Sequence, residues 1–197
     1  MTRLEMKKWP VKVMRCNRSI VVAALFGFYV QLAPGQSNSL LPDSTAQPAP
    51  TVLAKAAGVV GIQRCYRAVD QVSSRLFEHA QRADVVLDWD RGNPDREPFF
   101  SLSGLEYGNT SAVVSLTTVP GSTGGCTILA ERISSEPISC KEVARSELRG
   151  YQGTVLVKAI SVYTAPGRPR ETVTLVDTPP ACLIIRRQVQ FRWGEGQ

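Results

Sequence analysis

The sequence has few of the residues and patterns on which catalytic and metal sites depend. It contains one histidine, His79, among 197 residues. The G-x-S-x-G, H-E-x-x-H, P-loop and G-x-G-x-x-G patterns are missing, and so is any C-x2-C pair. These gaps argue against a nucleophile elbow, a short-spaced zinc site and a phosphate-binding loop. We therefore expect no catalytic residues, no metal and no cofactor, which favours a non-catalytic function.

The main apolar run is too short to cross a bilayer comfortably. It extends from Ile20 to Leu32, thirteen residues, where a membrane span needs roughly 20. Basic residues precede it, and the small residues Ala33 and Gly35 follow it. This order is typical of a cleaved signal peptide, so residues 1–35 are predicted to direct export to the periplasm or the extracellular space. The alternatives are an uncleaved anchor and an organellar presequence, and Glu5 counts against the presequence.

The excess of positive charge belongs mainly to this leader. The formal net charge is +6, but six of the 23 basic residues and one of the 17 acidic residues lie in positions 1–35. The remaining chain has 17 basic and 16 acidic residues, so it lacks the basic excess of a nucleic-acid-binding domain. We expect no nucleic-acid partner and no stable membrane insertion after signal cleavage, but a protein or an anionic envelope component as partner.

Four cysteines follow the predicted signal peptide: Cys65, Cys126, Cys140 and Cys182. In an exported chain they most simply form two disulfides, for which three pairings exist. The segment "GGCTILAERIS" at 124–134 resembles "PACLIIRRQVQ" at 180–190. If the chain is an internal duplication, each half contains one bridge, and the predicted pairs are Cys65–Cys126 and Cys140–Cys182. The alternative is that two amphipathic strands simply resemble each other.

Periodicity indicates the same order of elements in both halves. After a flexible lead-in at 36–60, a helical pattern begins near Cys65 and three strand-like runs follow. A second helix over 139–148 again precedes three runs, at 154–163, 171–177 and 182–193. The predicted fold is α+β, a single domain at 61–197. It has an antiparallel sheet of about six strands, built from two helix-plus-three-strand repeats (61–134 and 135–193), with the helices on one face.

Two charged residues occupy equivalent positions in the repeat. Glu131 and Arg187 each lie five residues after a cysteine and share a strand face with apolar neighbours such as Leu129 and Ile185. They are predicted to point where the core is expected and to meet as a polar pair. The pair would be structural, or it would face a ligand. A bulge or register shift that places both in water is the alternative.

The other face of the last strand forms a polar ribbon of Arg186, Gln188, Gln190 and Arg192. Arginine makes planar, bidentate contacts to carboxylates and phosphates. The ribbon is therefore a binding candidate for an acidic protein, lipid head groups or a cell-wall polymer, and a solvated outer sheet face is the ordinary explanation.

Two further features are weaker candidates. Asp88, Asp90, Asn93 and Asp95 are the oxygen donors that calcium prefers, but their spacing is not that of an EF-hand, and an exposed linker explains them. His79, within the first predicted helix, is the basis of a hydrolase alternative. The preferred function is an exported, non-catalytic interaction protein of inhibitor, immunity or envelope-assembly type. A small-molecule or lipid carrier with a pocket between sheet and helices is a further alternative.

Overall fold

A computed structural model describes residues 49–195. The three helices are α1 (Val52–Val59), α2 (Tyr66–Leu76) and α3 (Cys140–Glu147). The eight strands are β1 (Arg82–Asp88), β2 (Phe99–Tyr107), β3 (Thr110–Pro120), β4 (Cys126–Glu136), β5 (Gln152–Val157), β6 (Ile160–Thr164), β7 (Glu171–Thr178) and β8 (Ala181–Trp193). The predicted signal peptide at 1–35 lies outside the described residues. Within them, no helix is long and apolar enough to cross a membrane.

The strands form one antiparallel sheet in the order β1-β2-β3-β4-β8-β7-β6-β5. The prediction of about six strands in helix-plus-three-strand repeats is therefore wrong, because each half contains four strands. Strand β1 lies between the first predicted helix and the first predicted strand, where no element was predicted. The single run predicted at 154–163 is two strands, β5 and β6, separated by a turn at Lys158 and Ala159.

The helices cover one face of the sheet in two separate patches. In the first half, Leu53 of α1 and Val69 of α2 pack in a core with Phe99, Leu116 and Ile128. In the second half, Val143 of α3 belongs to a smaller core. Its other buried members are Leu148, Val173, Leu175, Cys182 and Ile184. The sheet is continuous beneath both patches, so the two cores share one layer of strands.

Helix α1 lies inside the stretch predicted to be a flexible lead-in, residues 36–60. Thr51 caps the helix, with its hydroxyl accepting from the Ala54 amide at 3.0 Å. Three of its side chains, those of Leu53, Ala54 and Ala57, are fully buried. The lead-in therefore does not reach residue 60, and the folded part begins at least ten residues before the predicted start at 61.

The disulfides join Cys65 to Cys126 and Cys140 to Cys182, which confirms the predicted pairing. Cys65 immediately precedes α2 and Cys140 begins α3, so each bridge fixes a helix start to a strand. That strand is the fourth of its half, β4 or β8, and not the third. Two disulfides fit an oxidising compartment outside the cytosol.

The two halves meet where β4 pairs with β8. In this register Glu131 is directly opposite Arg187, and these two residues occupy equivalent positions after Cys126 and Cys182. If a twofold axis relates the two halves, it passes between these two residues. Only at such an axis does a residue pair with the residue at the equivalent position of the other half. The line of contact between β4 and β8, which we name the seam, is therefore the centre of the sheet.

Candidate functional site

The structure reverses the two faces predicted for the seam strands. Ile128 and Ile184 are buried beneath the helices, so the even-numbered residues of β4 and β8 face the helices. Arg186, Gln188 and Gln190 belong to this helix side. Glu131 and Arg187 lie on the opposite face, which no helix covers. We call that uncovered side the open face.

The polar residues on the helix side border an uncovered groove. The first core lies under α1 and α2 and the second under α3, and the seam between them has no helix above it. The resulting depression, which we name the seam groove, has a volume of about 350 Å³. It is bordered by Leu76, Ala130, Arg132, Tyr151, Arg168, Glu171, Thr172, Val173, Arg186, Arg187 and Gln188.

Arg132 lies on the β4 side of the seam groove. Its guanidinium carbon is 4.9 Å from the centroid of the Tyr107 ring, within cation–π range. The Tyr107 hydroxyl donates to the backbone carbonyl of Leu76 at 3.1 Å, which ties the ring to the end of α2. The Arg132 Nε atom is buried and has no hydrogen-bond partner among the described residues. The aromatic contact therefore positions an arginine with unused donor capacity beside the groove.

Two arginines face each other across the seam. Arg132 and Arg186 are register partners, so their side chains stand next to each other on the helix side. Arg186 forms an ion pair with Glu147 of α3, while Arg132 has no ion pair with any carboxylate of the described residues. Like charges on opposed residues repel. An added anionic group between the two would relieve that repulsion.

The far side of the seam groove is also basic but better balanced. Arg168 Nη1 lies 2.7 Å from Glu171 Oε2, and Arg168 Nη2 lies 3.5 Å from the Tyr151 hydroxyl. Four arginines border the groove, and one of them, Arg187, pairs with Glu131 on the open face. On the helix side the described residues therefore place three arginines beside two carboxylates, Glu171 and Glu147. The groove therefore has a net positive charge, and its amide and hydroxyl groups add neutral hydrogen-bonding capacity.

A second, smaller cavity lies between α2 and the sheet and shares Gln188 with the seam groove. It encloses about 130 Å³ and is bordered by Val72, Leu76, Ile128, Gln190 and Trp193, among others. Sites for drug-sized ligands measure about 300–1,000 Å³. The space between sheet and helix at this point is thus smaller than the pocket that a lipid carrier needs.

Arg192, the fourth member of the predicted ribbon, lies away from the groove. The β4–β8 register shifts between Cys126 and Ile128, and Arg192 has a left-handed φ of 53°. Its Nε atom is 3.7 Å from Glu195 Oε2, and the Arg192 side chain is 81% exposed. The irregularity also lets Trp193 pack against the first core, as bulges do when they redirect a side chain.

Glu131 and Arg187 meet on the open face. The distance from Arg187 Nε to Glu131 Oε1 is 3.5 Å. The Arg187 side chain is 51% exposed and the Glu131 side chain is 30% exposed. The pair is therefore at the surface, although it occupies the centre of the sheet. The predicted contact is present, but it does not lie in the core between sheet and helices.

The weaker candidates are not assembled into sites. His79 follows the end of α2 with a φ of 64°, so it is not within the helix. Its side chain is 86% exposed and has Glu78 as its ion-pair neighbour. No group of three or more potential metal-ligating side chains occurs in residues 49–195. This placement argues against the hydrolase alternative that used His79.

Two of the aspartates in the weak calcium candidate accept hydrogen bonds from backbone amides. Asp95 Oδ1 accepts from the amides of Gln63 and Arg64 at 2.8 and 2.6 Å. Asp90 Oδ1 accepts from the amides of Gly92 and Asn93 at 2.7 and 3.1 Å. Each carboxylate thus organises a loop, and Asp95 fixes the long β1–β2 connection next to the Cys65–Cys126 bridge.

Sequence reasoning missed Arg132 as a site residue, although the disulfides could have identified it. A cysteine that bridges to a helix start must face the helices, so Cys126 defines the helix side of β4. Arg132 lies an even number of residues further along and shares that side. The same reasoning from Cys182 places Arg186, Gln188 and Gln190 there. No protein-family profile, curated protein or solved structure matches this chain.

Proposed function

We propose that the protein is an exported, non-catalytic binding protein whose seam groove binds an acidic segment of a partner protein. Export is supported by the leader-like sequence of residues 1–35 and by the two disulfides. The role in binding is supported by the helix side of the seam. There, polar and basic side chains converge on the strip that the helices leave open.

One observation carries the proposal: Arg132 and Arg186 are register partners, and the one carboxylate paired with them, Glu147, contacts Arg186 alone. Guanidinium groups present planar sets of N–H donors that match carboxylate geometry. The apolar side chains of Leu76 and Ala130 border the same groove. A carboxylate on an extended segment could contact the arginines while its aliphatic part packs against these two residues.

An oligoglutamate peptide labelled with fluorescein tests this proposal by fluorescence anisotropy, using the oxidised protein. We expect saturable binding that weakens as salt is added, since charge attraction is screened. Arg132→Gln and Arg186→Gln should each raise Kd at least about tenfold, because hydrogen bonds to charged groups contribute about 1.5 kcal/mol or more. Thermal unfolding of each variant shows whether the fold is kept.

Arg192→Gln is the matched control, because it removes the same charge from the same strand outside the groove. Its Kd should stay within about twofold of the original. An equal loss in all three variants would mean that the peptide senses only net charge, and the groove proposal would be abandoned. The same proteins can then serve as baits in extracts of the source. A stoichiometric protein that Arg132→Gln loses and Arg192→Gln keeps supports the proposal, whereas a copurifying lipid favours the carrier alternative.

A further inference from the structure

The open face of the sheet is unusually apolar for a surface without a covering layer. On five adjacent strands, β3, β4, β8, β7 and β6, Glu131 and Arg187 are the only charged side chains that the regular register of the described residues places on this side. Arg192 lies beyond the irregularity near the end of β8. Val113, Leu129, Ile133, Ile185, Val189 and Val176 alternate there with serine and threonine. Antiparallel sheets that have one solvated face usually carry polar residues on it.

The apolar character continues onto β2 and β1. Leu102 pairs with Val86 across these strands, and their side chains are 50% and 63% exposed. Phe100, on the same side, is 47% exposed. A contiguous apolar surface of this kind marks an interaction site in a soluble protein. The open face is therefore an incomplete layer, and a second layer of similar size would cover it.

Most charged side chains of the open face lie toward its β1 edge, as in an interface whose rim is polar. Arg82, Asp84 and Asp88 lie on the edge strand β1, and Glu106 lies beside Arg82 on β2. At the centre are one acid and one base, Glu131 and Arg187. The central pair can be complementary to itself, because a copy turned about a twofold axis that runs along the seam places Glu131 opposite Arg187.

The size of the open face matches what a stable dimer needs. Eight strands spaced about 4.8 Å apart span about 38 Å, and about seven paired residues along each strand extend about 24 Å. The flat area is therefore on the order of 900 Å². Interfaces of standard size bury about 800 Å² on each partner, so one sheet would cover the other almost completely.

We propose that two copies of this chain dimerise through their open faces, forming a two-layer sandwich of sheets with the helices on the outside. The sheets would cross at about 30°, as aligned sheet packing requires. Glu131 of each copy would face the partner subunit's Arg187. The seam groove lies on the other side of the sheet and stays accessible, so this inference is independent of the proposed binding function.

Sedimentation velocity of the oxidised protein over a range of concentrations tests the proposal. The expected result is a monomer–dimer equilibrium that Leu102→Glu shifts to monomer, with at least a tenfold weaker dimer. Val59→Glu is the matched control, because Val59 is 88% exposed on α1, away from the open face. It should leave the equilibrium unchanged. Val155→Glu tests the edge strand β5. Val155 is 69% exposed and pairs with Ser161, which places it on the helix side, so this change should also have no effect.

Exchanging the two central charges gives a test that a folding defect cannot imitate. Glu131→Arg alone would oppose arginine to arginine across the dimer, and Arg187→Glu alone would oppose two glutamates. Each variant should be monomeric at concentrations where the original chain dimerises. An equal mixture should recover the dimer as a heterodimer, since each new charge then faces its complement.

Three outcomes would overturn the proposal. The first is a monomer at every concentration reached. The second is a dimer that Leu102→Glu leaves intact or that Val155→Glu abolishes, which would place the contact at the sheet edge. The third is a mixture of the two charge variants that stays monomeric while both retain the circular dichroism and thermal midpoint of the original protein.

Discussion

At the scale of single residues, Glu131 and Arg187 show that a position at the centre of the sheet does not require burial. They lie opposite each other at the centre of the sheet, 3.5 Å apart, yet both side chains reach water. Exposed ion pairs stabilise proteins by about 0.2–1 kcal/mol, because solvent screens the charges and ordering two long side chains costs entropy. A pair buried between sheet and helices would behave differently, since removing one partner would leave a charge without compensation.

A double-mutant cycle measures this pair. Arg187→Met, Glu131→Gln and the double variant are unfolded with urea at concentrations low enough for the chain to be monomeric. We expect a coupling free energy of about 0.2–1 kcal/mol, the range of solvent-exposed pairs. A loss of about 3 kcal/mol or more for Arg187→Met alone would identify a desolvated pair and contradict the exposure described above.

Residue type alone was not sufficient to decide which side of a seam strand is buried. Ile128 and Leu129 are adjacent and both apolar, and so are Ile184 and Ile185, so alternation gives no preference for either face. The contact with the helices decides, because only one side can meet them. The cysteines of the disulfides mark the side of β4 and β8 that faces the helices. Counting residues from Cys182 then identifies the β8 residues on that side.

At the scale of elements, helix α3 shows how a local sequence fixes its own start. Ser139 and Glu142 form a capping box, in which the Ser139 amide donates to Glu142 Oε2 at 3.1 Å and the Ser139 hydroxyl accepts from the Glu142 amide at 3.3 Å. Hydrogen bonds from the Ser139 hydroxyl and then from its amide hold the pKa of Glu142 below its ordinary value of 4.5. These bonds stabilise the ionised carboxylate.

The lowered pKa predicts the pH dependence of this stabilisation. Because the folded state binds the proton less readily than the unfolded chain, the contribution is present above the ordinary pKa and is lost as the pH falls through the lowered value. Urea unfolding at a series of acidic pH values compares the original chain with Glu142→Gln. The difference between their unfolding free energies should be larger at pH 6 than at the acidic end. A difference that does not change with pH would contradict this prediction.

The sequence predicted the elements that have a clear period and missed those that do not. Helix α2 was recognised from its apolar stripe, and the long strands β2, β3 and β8 from their alternation. Strand β1 is an exception, because exposed and half-buried positions alternate along it. It was missed because it follows helix α2 so closely that the helical pattern predicted from Cys65 ran on into it. Strands β5 and β6 merged into one because Lys158 and Ala159 are not typical turn residues. Helix α1 consists mostly of small side chains, whose burial depends on tertiary contacts.

At the scale of the whole molecule, one sheet connects two cores of unequal size. The first core contains eleven buried residues and the second contains six. The seam between them is formed by backbone pairing of β4 with β8 and carries polar side chains on its helix side. Little apolar packing connects the cores there, because the seam groove separates α2 from α3. The halves are therefore joined by the hydrogen bonds of the sheet and, on the open face, by the cross-strand pairs Leu129–Val189 and Ile133–Ile185.

This division predicts that each disulfide protects its own half. The bridges close loops of 61 and 42 residues, and the chain-entropy relation gives about 4 kcal/mol for each. The second core is smaller, so Cys140→Ala with Cys182→Ala should raise amide hydrogen exchange mainly in β5, β6 and β7. The first-half strands β1, β2 and β3 should keep most of their protection, as expected for sub-global opening.

The other bridge provides the control for this prediction. Cys65→Ala with Cys126→Ala removes a bridge of similar expected energy from the larger core, and it should raise exchange first in β1, β2 and β3. Hydrogen exchange measured by mass spectrometry separates the two patterns, because the affected strands lie in different peptides. If both double variants instead raised exchange equally in all eight strands, the sheet would transmit the loss across the seam. The two cores would then form a single cooperative unit, and the polar seam would be no boundary.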